Sequence, residues 1–115
     1  MTEVAVPVDR SAVDADSYEP FIVDDEAVGE VHWIRRSDIG GNGLTVGLWR
    51  AEPMEFAYPF TEDETIHVLE GRVEITLTAG STIVLEPGDI ASFAKGTDST
   101  WKIVTAFKKL FVSIG

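Results

Sequence analysis

The chain has 115 residues, 44% of them hydrophobic and 25% charged, an ordinary globular balance with room for one domain and not two. It has no cysteine, which excludes disulfides, thiolate metal sites and a cysteine nucleophile. Its formal charge of −11, from nine Lys and Arg against twenty Asp and Glu, argues against nucleic acid and anionic membrane surfaces, both of which need basic patches.

In chain order, the opening Met1-Thr-Glu-Val-Ala-Val-Pro7 lacks the basic and apolar regions of a signal peptide. No apolar run approaches the ~20 residues of a membrane span, so the expected address is the cytoplasm. Residues 1–30 hold nine acids and one base and read as an acidic, partly ordered arm. Within the arm, Val4–Val8 is compatible with an edge strand, and Tyr18–Val23 is a second short apolar patch. From residue 31 to 115 the pattern is that of a β barrel. Strands are predicted near 31–36, 44–50, 56–60, 64–69, 72–78, 82–85, 90–93, 100–104 and 109–114, with turns at Asp38–Gly43, Ala79–Ser81 and Pro87–Asp89. Val73, Ile75 and Leu77 alternate onto one face. No helical period survives ten residues without a breaker, so the fold class is all-β with antiparallel pairing.

Over residues 56–112 these turn signals resemble the cupin superfamily, whose members are small antiparallel jelly-roll barrels. Glu64 and Gly71 keep the six-residue gap of its first block, within Val68-Leu-Glu-Gly-Arg-Val73. Gly88 and Gly96 keep the glycine spacing of its second, with Ala94 where proline is usual. Trp49-Arg50, Phe56, Tyr58, Asp63-Glu64-Thr65, Lys95-Gly96, Thr100-Trp101-Lys102 and a lysine-rich final strand are similar to a single-domain group related to ureidoglycine aminohydrolase and an ethanolamine-utilisation cupin. The resemblance reaches more weakly upstream to Trp33. It implies a fold and no single reaction, because one fold hosts many functions.

A metal-binding member of that superfamily holds its ion with three histidines and a glutamate. The histidine positions fall here on Tyr58, Phe60 and Ser99, and only Glu64 remains. One carboxylate is a poor divalent-metal site. Strand parity turns His67 away from Glu64, while the register of His32 is open. No cofactor is therefore expected, the alternative being an atypical divalent metal on Glu64, Tyr58 and His32.

The same parity argument puts Tyr58, Phe60 and Glu64 on one strand face and Ser99, Trp101 and Ile103 on another. If both faces look into the barrel, the cavity has apolar walls and a few orienting polar groups, the make-up of an organic-ligand site. Glu64 is the candidate general acid–base, favoured by burial among aromatics, with Tyr58 donating to a substrate oxygen. Phe60, Ser99, Trp101, Trp33 and Arg50 form the candidate ligand-binding set. The alternatives for Glu64 are structural ties to Tyr58, Ser99, Arg50 or Lys102, and aromatics on inward strands are core by default.

The functional expectation is a small-molecule-binding protein, either a metal-independent acid–base enzyme acting on a small polar metabolite or a non-catalytic ligand sensor or structural module. Isomerisation, elimination or hydrolysis of a nitrogen-rich metabolite is the chemistry the resemblance implies. A homodimer paired through one sheet is the expected assembly.

Overall fold

The computed structural model describes residues 8–115. The Val4–Val8 strand expectation falls largely outside them. Ten strands form: β1 (Glu19–Val23), β2 (Glu26–Ile39), β3 (Asn42–Ala51), β4 (Met54–Pro59), β5 (Asp63–Glu70), β6 (Val73–Leu77), β7 (Thr82–Leu85), β8 (Ile90–Phe93), β9 (Asp98–Ile103) and β10 (Phe107–Ile114). They pair antiparallel into a six-stranded sheet, β1-β2-β3-β10-β5-β8, and a four-stranded sheet, β4-β9-β6-β7. This is the jelly-roll cupin fold. No helix among the described residues is long and apolar enough to cross a membrane.

Period-two alternation builds the core between the sheets. Glu64, Ile66 and Val68 of β5 are buried while Thr65 is exposed. Ser99, Trp101 and Ile103 of β9 are buried while Thr100 and Lys102 are exposed. Ile66, Val68, Val73 and Ile75 are fully buried, each stabilising the fold by roughly 1.5–3 kcal/mol. Trp49 packs edge-on against Phe56, Trp101 and Phe107, and Phe60 stacks on Phe93 with centroids 4.5 Å apart. The β2–β3 hairpin closes through Gly40 and Gly41, both at positive φ, with the Gly41 amide donating to Asp38.

The sheet starts earlier than the expected boundary at residue 31. β1 and the first turns of β2 draw residues 19–30 into it, joined by Asp24 and Asp25 at φ 51° and 66°. Aspartate tolerates this left-handed region better than most residues, and a two-residue hairpin needs it twice. The acidic composition hid this hairpin, because its inward residues, Phe21 and Val23, are only two.

Residues 8–18 form no strand, but they are tied to the outer face of the large sheet. His32 Nδ1 donates to the Ser17 carbonyl at 2.7 Å and its Nε2 lies 2.7 Å from Ser11 Oγ. Lys108 donates to the Val13 carbonyl, and the Arg50 guanidinium sits 3.7 Å from the Tyr18 ring centre. Leu48, beside His32 in register, points outward yet is 1% exposed.

Candidate functional site

The site begins with an anomaly in an apolar stripe. The inward face of β10 reads Phe107, Lys109, Phe111, Ser113, all buried. A lysine there must place its ammonium against something charged or polarisable. Its partner comes from the neighbouring strand β5: Lys109 Nζ donates to Glu64 Oε2 at 2.8 Å. The other carboxylate oxygen, Oε1, accepts from the Tyr58 hydroxyl at 3.0 Å. Tyr58 belongs to β4 in the opposite sheet, so this bond crosses the sandwich. Aromatic faces solvate the rest of the ammonium: Nζ lies 4.6 Å from the Trp101 ring centre and 5.2 Å from that of Trp49.

Burial, and then the Glu64 carboxylate beside it, push the Tyr58 phenol well above its ordinary range; the Glu62 charge adds to this. Tyr58 is therefore a neutral donor throughout the physiological range and not a base.

Between the sheets this triad faces a cavity of about 260 Å³. That is just under the roughly 300–1,000 Å³ of typical organic-ligand sites. Its walls include Phe21, Trp33, Trp49, Phe56, Trp101 and Phe111. Its polar groups are the triad with Thr45, Ser113, Thr61, Glu62 and Asp24. Thr45, Ser113 and Glu64 are register partners on β3, β10 and β5, and so form one inward row. The exposed members of the lining, Ile22, Asp24, Pro59 and Thr61, mark the opening.

The structure brings Glu64, Tyr58, Trp101 and Trp33 of the expected set to this cavity. Tyr58 and Glu64 meet from different sheets, not from one strand face, because residues 60–62 carry the chain across the sandwich. The crossing turns Phe60 into the core against Phe93, and it does not line the cavity. Ser99 also falls short. Its hydroxyl donates to the Tyr58 carbonyl at 2.8 Å and accepts from Trp101 Nε1 at 3.1 Å, so it braces the site from behind. Arg50 lies outside, paired with Glu30 at 3.0 Å and stacked over Tyr18. His67 pairs with Ile90 and Leu110 on the face away from Glu64, as strand parity requires. His32 also points outward, into the arm, which removes it from any shared site with Glu64.

Lys109 and Ser113 are among the residues sequence reading missed, with Phe21, Asp24, Thr45, Thr61 and Glu62; Arg50 and Lys102 stood as the basic partners of Glu64 instead. The signal for Lys109 and Ser113 was present: both fall on the Phe107–Phe111 parity, where a lysine interrupts an inward apolar stripe.

Residues 41–111 match the family model of the EutQ-like cupin domain. The chain belongs to this family. No curated protein matches it. Among solved structures, this cupin is similar to a DUF861-family protein of Thermotoga maritima at 36% identity and TM-score 0.55, covering 56% of this chain and 73% of that one. It is similar in fold to the Clostridium difficile EutQ protein at 16% identity and TM-score 0.59, covering 74% and 68%. A cupin superfamily protein of Desulfitobacterium hafniense matches at 19% identity and TM-score 0.62, covering 73% and 74%.

Proposed function

We propose that this cupin binds a small polar metabolite between its sheets and performs metal-independent acid–base chemistry on it through Glu64. The carrying observation is the triad: a buried carboxylate with both oxygens fixed, facing an aromatic-walled cavity. A carboxylate has about four acceptor sites and two are taken, so Glu64 keeps lone pairs for a substrate proton. Lys109 holds the donors that return a proton or stabilise a developing anion. Tyr58 stays a phenol and orients the carboxylate.

The donor set does not fit a divalent metal. Of the superfamily's four ligand positions, one is a core phenyl ring, one a hydroxyl engaged behind the wall, and one a phenol donating to Glu64. The cation beside Glu64 is the Lys109 ammonium. Among the described residues no group of three His, Cys, Asp or Glu side chains is placed to hold an ion. Elemental analysis of tag-free protein is expected to find metal well below one per chain. Stoichiometric metal would overturn this part of the reading.

The second reading, a non-catalytic ligand sensor, is favoured by one observation: the triad is already satisfied within the protein. The test separates the two. The protein is screened against small polar metabolites by ligand-observed NMR, and each binder is then incubated with it in D2O. An enzyme of the proposed kind exchanges a ligand C–H proton with solvent, and Glu64→Gln loses the exchange while keeping binding. Binding without exchange in the wild type refutes catalysis and leaves the sensor; no binder at all refutes both.

A further inference from the structure

The charges of the cavity are uneven. Its lining carries three carboxylates, Asp24, Glu62 and Glu64, against one ammonium, Lys109. Lys109 is already committed to Glu64 at 2.8 Å. The two unmatched carboxylates, Asp24 and Glu62, are the more exposed ones and belong to the opening. The walls beside them are aromatic, and rings of this cavity already carry cations. Lys109 lies over Trp101, and the Arg36 guanidinium lies 4.6 Å from the Trp33 ring centre.

Deeper in, Ser113 is 7% exposed and lines the cavity, and its hydroxyl has no hydrogen-bond partner among the described residues. Thr45 stands beside it in register and also points inward. Facing the cavity, the two hydroxyls are placed to bond a guest that fills it.

Resting on the reading of this cavity as a small-molecule site, we propose that its ligand is a small organic cation. Its ammonium sits at the opening against Asp24, Glu62 and the faces of Phe21 and Trp33. Its other end, a hydroxyl or carbonyl, bonds to Ser113 and Thr45. A negative rim with aromatic walls favours such a cation by direct charge and by the ring quadrupoles, and the chain's overall −11 charge steers it inward. Among the lining residues a carboxylate ligand meets only the occupied Lys109, and it must pass both rim acids; the Arg36 guanidinium on the Trp33 ring is not part of that lining.

Three probes of nearly one shape test this on the full chain: choline, its neutral isostere 3,3-dimethylbutan-1-ol, and the anionic 3,3-dimethylbutanoate. Affinity is read by calorimetry and location by NMR shifts of the Trp33 indole and the Thr45 and Ser113 amides. Choline is expected to shift these signals and to bind at least about tenfold tighter than the alcohol. Glu62→Gln and Asp24→Asn should each weaken choline several-fold while leaving the alcohol unchanged. Ser113→Ala should weaken choline and alcohol alike. Equal or tighter binding of the alcohol or the carboxylate, with the same shifts, overturns the cation assignment and keeps the small-molecule reading. No cavity shift from any probe also overturns the cation assignment; the metabolite screen then judges the broader reading on its own.

Discussion

Replacing Lys109 by methionine keeps the length and the apolar stem but removes the charge that Glu64 faces. Glu64 and Lys109 are only 5% and 6% exposed at their side chains, so neither charge is appreciably screened by water. Removing one partner of such a pair strands the other, at a cost of about 3–5 kcal/mol. For a domain of this size that is a fall in Tm of roughly 10–25 °C. Removing both charges in Glu64→Leu/Lys109→Met strands no charge, only the Tyr58 hydroxyl, and should recover at least about 2 kcal/mol of the loss. The assay is urea unfolding of wild type, both single variants and the double, with a constant m-value certifying that only stability changes. A Lys109→Met cost below about 1 kcal/mol is the magnitude of an exposed pair and would refute the argument. So would a double variant whose loss is simply the sum of the singles.

Three further outcomes are expected. Because the folded state holds the Tyr58 phenol above its ordinary range, its neutral form contributes stability that is intact below pH about 10 and is lost as pH rises through the folded value. Alkaline titration followed by phenolate absorbance should show a late step that coincides with unfolding and is absent in Tyr58→Phe. Gly71→Ala should destabilise by more than about 2 kcal/mol in denaturant melts. Gly71 sits at φ +80°, and a Cβ there would run into the Ala106 carbonyl. Light scattering should give the mass of two chains. The outer face of the large sheet exposes Ile90, Val112 and Ile114, and a monomer mass would sink the homodimer proposal.

Much of the fold was legible because its strands alternate cleanly and its turns carry glycine. β5, β6 and β9 show an inward face in the bare sequence. β1 did not, because its turn is Asp-Asp rather than a glycine pair and it sits in an acidic stretch. The site was half legible. Glu64 and Tyr58 were marked by the ligand spacing of the resemblance, and Trp101 by parity. Phe60 lies elsewhere because parity holds along a strand and breaks where the chain crosses between sheets, whereas Ser99 keeps its inward parity but spends its hydroxyl on the Tyr58 carbonyl and Trp101. Lys109 was hidden by its company. A lysine pair, Lys108-Lys109, reads as solvated surface, and only the alternation of Phe107 and Phe111 shows that one of the two points inward.

The β1–β2 hairpin has a consequence for inheritance. Phe21, Ile22, Val23, Asp24, Val28 and Trp33 supply one side of the cavity, and all precede residue 41, where the family match starts. Ser113 lies beyond its end at 111. The segment that marks the family thus holds the Glu64–Lys109 pair with Thr45 and Glu62, while one wall of the cavity, with Asp24, is an appendage outside it. Two proteins can share the first and differ wholly in the second. Grafting residues 19–28 from one onto another should carry guest preference with it and leave the Glu64–Lys109 pair untouched.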